Sequence, residues 1–291
     1  MMHSNEIKIE ADLVRELLKV QFPKWADLPL SPITPSGTDN AMFKLGDALA
    51  VRLPRTEHAA QNIEKECRWL PKLAPHLPLP IPAPVAQGKP HEKYPLPWAI
   101  CHLLVGENLN VSHLDDLHQA AIDMGEFVSA LQQIDVASGP INKRGLPLNT
   151  RDEETRAAIT QLEGVIDVDR AASAWESMLA LPQWNGLPTW LHGDLHPGNL
   201  LVKAGRISAV IDFGSCGVGD PAADLMFAWA VLDTKSREVF RSIVKPDEAS
   251  WARGRGWAFT MGIVAYPYYQ ESNPVFAAVA KRAMDEALAD C

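Results

Sequence analysis

Cysteine is scarce in this chain of 291 residues, and Cys67, Cys101, Cys216 and Cys291 form no C-x-x-C pair. A chain of this length does not depend on disulfide staples, so reduced thiols are the expectation. No apolar run approaches the roughly 20 residues that span a bilayer. Residues 1–10 are polar and carry no apolar signal core, so a soluble, cytoplasmic protein with no membrane partner is expected. Basic residues are in deficit: 27 Lys and Arg against 36 Asp and Glu give a net charge of -9. That sign argues against a nucleic-acid partner, because neutralising phosphates takes Lys and Arg. It suits a cationic ligand, or it only aids solubility. Repeats and low-complexity tracts are absent. With 47% apolar and 22% charged residues, disordered and fibrous classes are excluded.

Hydrophobic periodicity supplies the organisation. Residues 9–21 read as an amphipathic helix, with Leu13, Leu17, Leu18 and Gln21 along one side, and 29–39 as turn-rich. Strands are predicted at 41–45 and 48–53, joined by the Gly46-Asp47 turn. A helix over 57–73 aligns Ile63, Cys67, Leu70 and Leu73. Proline keeps 77–84 extended. A buried strand follows at 98–105, then a hinge at 106–110, a long helix at 114–134, a loop at 144–149 and further helix to about 181. The expected architecture is α+β and bilobal. Residues 1–105 form a small β-rich lobe and 106–291 a larger helical one, with a ligand expected in the cleft they share.

The most informative stretch is residues 190–224, WLHGDLHPGNLLVKAGRISAVIDFGSCGVGDPAAD. Short apolar strands alternate with polar clusters. Asp194, Asn199 and Asp212 therefore fall on the loops and ends of neighbouring strands, where their oxygens can converge. Phosphoryl transfer asks for such parts. Hard oxygen ligands hold Mg2+ against the β- and γ-phosphates, and a carboxylate orients the attacking hydroxyl and accepts its proton. Asp194 suits the second task, and Asn199 with Asp212 the first.

The composite of HGDLHPGN, then IDFG, then GDPxxDL resembles the aminoglycoside phosphotransferase family, with its choline kinase-like and macrolide kinase-like relatives. The likeness runs from about residue 36 to about residue 233. It implies the bilobal protein kinase-like fold, with ATP or GTP as donor and magnesium as cofactor. It also implies Asp194 as the catalytic aspartate, Asn199 and Asp212 as metal ligands, Asp220 and Asp224 as mainly structural, His192 as a brace of the catalytic loop and His196 as shaping it. Residues 35–40, with Ser36, Gly37, Thr38 and Asn40, stand where the family places its phosphate-covering loop. Small residues there let backbone N–H groups approach phosphate oxygens. Arg52 occupies the position of the kinase lysine, and Glu66 that of its ion-pair partner. Arginine in place of lysine departs from the kinase pattern, but it stays charged and forks onto phosphate. Backbone near Cys101 and Leu103 is expected to meet the nucleotide base. A second departure is Gln132, where relatives often carry histidine.

The acceptor implied is a small hydroxyl-bearing molecule, with an aminoglycoside-like antibiotic, and hence resistance, foremost. Macrolides, choline, homoserine and sugars are the alternatives, and monomer and homodimer both stay open. A non-catalytic nucleotide-binding module would be expected to have lost Asp194 or Asp212. The short interval between Phe213 and Pro221 leaves no room for the long activation segment of a protein kinase. His192 and His196, four residues apart, suggest zinc only on a helix, which Gly193, Pro197 and Gly198 oppose. Trp251, Trp257, Tyr266, Tyr268 and Tyr269 suit helix packing first and a sugar or cation second. The acidic helix near 152–163 is read as a solvated face before an amine attractor.

Overall fold

Alternating apolar residues build an antiparallel sheet in the N-terminal part of this computed structural model, which describes residues 9–33, 39–109 and 114–291. Helix α1 (Ala11–Gln21) precedes strands β1 (Leu30–Pro32), β2 (Asn40–Leu45) and β3 (Leu49–Pro54). Helix α2 (Glu57–Leu73), β4 (Pro84–Gly88) and β5 (Trp98–His102) follow, and the sheet order is β1-β2-β3-β5-β4. Because side chains alternate across a strand, Trp98 and Ile100 join Val14, Leu17 and Leu18 of α1 in one core cluster. Ala99 and Cys101 face Ile63 and Cys67 of α2 in another. Thr56 caps α2 by accepting the N–H of Ala59 at 3.2 Å. The expected strand over 98–105 ends at His102. The turn residues 34–38, which carry Ser36, Gly37 and Thr38, lie outside the described residues.

The chain divides into two compact units. One runs from α1 through β5 and closes at Val105; the other begins at Gly106 and also takes in His76–Leu79. The second unit contains β6 (Glu107–Asn108), α3 (Leu117–Gln132), α4 (Asp152–Gln161), α5 (Val168–Leu179) and β7 (Thr189–Leu191). Strands β8 (Leu200–Lys203), β9 (Arg206–Val210) and β10 (Gly217–Gly219) come next, then α6 (Phe227–Val231), α7 (Thr234–Val244), α8 (Glu248–Tyr269) and α9 (Pro274–Ala289). Two ladders frame the informative stretch. β6, β8 and β9 form one, while β7 pairs antiparallel with β10 in the other. β7 and β8 are thus not hairpin partners, and residues 192–199 bridge two separate ladders. The loop expected at 144–149 contains two 3₁₀ turns, Lys143–Gly145 and Leu148–Arg151.

Among the described residues no helix is long and apolar enough to cross a membrane. Helix α8 packs closely against α9. A Cβ on Gly262 would stand 2.4 Å from the carbonyl oxygen of Ala280 and 2.7 Å from the amide nitrogen of Met284. Both neighbours are backbone, so the helices would have to separate. Gly262→Ala is expected to lower unfolding free energy by about 2 kcal/mol through overpacking. Urea denaturation checks this, and an unchanged midpoint would contradict so close an approach.

Candidate active site

The loop after β7 is anchored from beneath by a buried carboxylate. Asp224 is fully buried, and its oxygens accept the backbone N–H groups of His192 and Gly193, each at 2.7 Å. Burial pushes the Asp224 carboxyl up to about 7, against the pull of those two N–H groups. Gly193 turns the chain at φ 83°, where a Cβ would fall 2.4 Å from Nδ2 of Asn142. Only glycine tolerates both demands.

His192 ties this loop to the end of β9. Its Nδ1 accepts the N–H of Asp194 at 3.2 Å, and its Nε2 donates to the carbonyl of Ile211 at 3.0 Å. The ring packs edge-on to Phe213, with centroids 4.5 Å apart. Burial lowers His192 to about 4, so the neutral ring that this bridge needs is the form present. Both ring nitrogens are therefore occupied, which closes the zinc reading.

Asn199 closes one 3₁₀ turn, Pro197–Asn199. Its Nδ2 donates to the carbonyl of Asp194 at 2.9 Å and lies 3.3 Å from the Asp194 carboxylate. That orientation leaves Oδ1 as a free oxygen donor. The N–H of Ile211 donates to the carbonyl of Asn199 at 2.8 Å, which sets Asp212 one residue further on. Asp212 is exposed and left-handed at φ 61°, and its carboxylate accepts from Gly214 at 3.4 Å. Asp is among the residues that enter this region most readily. His196 accepts from Gly198 through Nδ1 at 3.1 Å, which leaves its Nε2 proton facing Asp194 Oδ2 at 3.6 Å.

Sequence reasoning missed Arg144. Its Nη1 lies 2.5 Å from Asp194 Oδ1. Asn142 caps its turn by accepting the Arg144 N–H at 2.7 Å, and the Gly145 carbonyl accepts the Asp220 N–H at 3.0 Å. Asp220 in turn makes a buried ion pair with Arg253, 2.7 Å to Nε. No periodic or motif signal marks Arg144, because a short polar turn has neither. Burial pushes the Asp194 carboxyl up, but the facing His196 ring and the Arg144 guanidinium outweigh it and hold the group well below the usual carboxylate range. Asp194 is thus a pre-aligned anion and a weak base.

Beside Asp194 opens a cavity of about 360 Å³. Arg144, Arg151, Asp194 and His196 supply its polar lining, and Trp257, Met261, Val264, Tyr268, Tyr269 and Phe276 most of its wall. Aromatic contacts run continuously from rim to loop: Tyr268 to Tyr269 at 4.7 Å, Tyr269 to Phe276 at 4.9 Å, and Phe276 to His196 at 4.8 Å. Trp257 is buried, while Tyr268 is 74% exposed at the mouth. Trp251 instead packs on Trp229, centroids 4.7 Å apart.

In the N-terminal unit, Arg52 and Glu66 form a buried ion pair, 8% and 2% exposed, not a surface one. Asn40 opens β2, and its buried Oδ1 has no hydrogen-bond partner among the described residues. Cys101 lies inside β5, opposite Ala50. The N–H of Leu103 already donates to Ala48 at 2.8 Å, so a base meeting Leu103 would be left with its carbonyl. Gln132 ends α3, and its buried Nε2 has no hydrogen-bond partner among the described residues.

The profile of the phosphotransferase enzyme family (APH) matches residues 30–257. The chain is 28% identical over 198 residues to an aminoglycoside 3'-phosphotransferase of Streptomyces fradiae, covering 64% of this chain and 69% of that protein. The GDP complex of aminoglycoside 2'-phosphotransferase-IIIa superposes with a TM-score of 0.75 at 17% identity, covering 97% of this chain and 99% of that one. The macrolide 2'-phosphotransferase of Brachybacterium faecium gives 0.67 at 22% identity, covering 94% and 98%. The architecture is thus the protein kinase-like α+β fold of these phosphotransferases. The chain belongs to the phosphotransferase enzyme family.

Asp224→Asn would set an amide N–H against one of the two backbone donors, an expected loss of about 1–3 kcal/mol. The folded value near 7 lies above the ordinary one, so the stability Asp224 contributes is full below about pH 4 and is lost as pH rises toward 7. The variant lacks this titration. The wild-type advantage in chemical denaturation should therefore shrink between pH 5 and pH 8; a constant advantage would rule the titration out.

Proposed function

We propose that this enzyme transfers the γ-phosphate of ATP or GTP to a hydroxyl of a small molecule, of the antibiotic kind its relatives modify. The observation that carries this reading is Asp194: an anion fixed by Arg144, Asn199 and the His192 bridge, opening onto a cavity of about 360 Å³. The acceptor hydroxyl would hydrogen-bond to the Asp194 carboxylate. The acceptor oxygen bonds to phosphorus as the bond from phosphorus to the β-bridging oxygen breaks. The nucleoside diphosphate leaves with that oxygen, and the hydroxyl proton passes to Asp194. So weak a base takes the proton late, when the oxygen is already bonding to phosphorus and has become acidic.

Asn199 Oδ1 and the Asp212 carboxylate are hard oxygen donors and fit Mg2+, which completes its shell with water and phosphate oxygens. The ion would supply charge neutralisation on the phosphates. Arg52, aligned by Glu66, is assigned to the α- and β-phosphates. Residues 1–105 serve the nucleotide and 106–291 the acceptor, and the cytoplasm supplies the donor. The names of the relatives favour an aminoglycoside and a role in resistance. A macrolide-like acceptor is the second reading, favoured by the apolar wall of Trp257, Met261, Val264 and Phe276.

Asp194→Ala is expected to lower kcat by about 10²–10⁴-fold while nucleotide affinity stays nearly level, because the residue acts on the acceptor. Asp212→Ala should instead weaken magnesium-dependent nucleotide binding. Isothermal titration beside coupled turnover separates the two, and full transfer activity in Asp194→Ala would end this mechanism.

A further inference from the structure

The polar lining of the cavity is unsuited to a polycation. Among the described residues Asp194 is the one carboxylate that lines it, and Arg144 already holds that group. The acidic residues of α4 do not line it. Asp152 accepts from Arg156 and from the Trp175 indole, at 2.7 and 2.8 Å, and Glu154 pairs with Arg151 at 2.6 Å. Two guanidiniums stand there instead, and each has engaged only Nη1: Arg144 on Asp194 and Arg151 on Glu154. Among the described residues the buried Nε of Arg151 has no hydrogen-bond partner, so the protein leaves this fork under-used. Burial lowers the pKa of Arg151 against the pull of Glu154, and the neighbouring charge of Arg144 lowers it further. A third cation would meet that repulsion, whereas an anion would relieve it. The remaining wall offers ring faces and aliphatic groups.

From this we infer that the acceptor is an apolar, ring-bearing alcohol that carries a carboxylate, bound by the free donors of Arg151 and Arg144, rather than a polyamine. The inference rests on the phosphotransfer reading for its chemistry, but not for its binding, and it sets an anionic acceptor in place of the aminoglycoside that the relatives' names favour. A planar guanidinium matches a carboxylate bidentately. The ring would lie against Tyr269 and Phe276, with the hydroxyl directed to Asp194.

Three probes test it at millimolar concentration: para-hydroxymethylbenzoate, para-hydroxymethylbenzylamine and kanamycin. Each is assayed with ATP and with GTP for turnover, and alone for its effect on melting temperature. The benzoate should exceed the benzylamine in kcat/KM, or in stabilisation, by about tenfold, the size of one charge-assisted hydrogen bond. Arg151→Glu should reverse that order. Arg151→Gln, which disturbs the turn less, should bring the two compounds level. Preference for the benzylamine or for kanamycin would overturn the inference while leaving phosphotransfer standing. A benzoate that neither stabilises nor turns over would also overturn it. A benzoate that stabilises the wild type but not Arg151→Glu, with no probe phosphorylated, would uphold the pocket and count against phosphotransfer.

Discussion

One buried carboxylate sets the geometry of this enzyme. Among the described residues Asp224 has no cation as a hydrogen-bond partner, only two backbone N–H groups at 2.7 Å. Removing a carboxylate from water is expensive, and two charge-assisted hydrogen bonds from fixed donors offset much of that cost. Burial nevertheless prevails enough to bring the group near neutrality, about 7. The same two bonds orient the peptide planes on either side of Gly193, and those planes decide where Asp194 points. The loop is thus fixed from the core outward, before any ligand is present.

From that anchor the constraints pass along short polar links. The His192 ring joins the Asp194 amide to the Ile211 carbonyl, and the Ile211 amide returns to Asn199. Asp194, Asn199 and Asp212 come from segments that follow or precede three different strands, yet these bonds make them one unit. On the opposite side, the buried Asp220–Arg253 pair holds the Gly145 carbonyl, and with it the turn that presents Arg144. Neither acidic residue of the GDPxxD element touches the cavity wall through its own chemistry. Each acts by holding a loop whose neighbouring residue does. A buried pair in such a role is better read as a source of specificity in loop placement than as a source of stability.

Much of this was legible in the sequence because strand alternation and helical periodicity are local. Helix α2 over 57–73 and the hairpin around Gly46 follow from spacing alone. The tight packing of polar residues between apolar strands likewise marked Asp194, Asn199 and Asp212. The pairing of the strands was less visible. β7 and β8 are adjacent in sequence and look like partners, but β7 pairs with β10, because the 192–199 loop spends its backbone groups on Asp224 and Asn199 rather than on a hairpin. Arg144 was hidden for a different reason. It lies 50 residues from Asp194 on a turn whose position depends on Asn142, Gly193 and Asp220 together. No window of sequence contains that set.

The acidic net charge shows the same separation between global and local properties. A total of -9 suggests attraction for cations, yet many carboxylates of the helical unit are already engaged. Asp152 and Glu176 hold Arg156, Glu286 and Asp290 hold Arg237, and Asp220 holds Arg253. Such pairs contribute little field a few ångströms away, because each charge is screened by its partner and by solvent. Selectivity is set instead by the few groups that face the ligand within a low-dielectric wall, where an unpaired donor or a repelled charge counts for most. In the lining of this cavity those groups are two half-used guanidiniums and one carboxylate already committed to one of them. Two guanidiniums against one carboxylate among the lining residues is a balance opposite in sign to the net charge of the chain, and it is the lining that an acceptor meets.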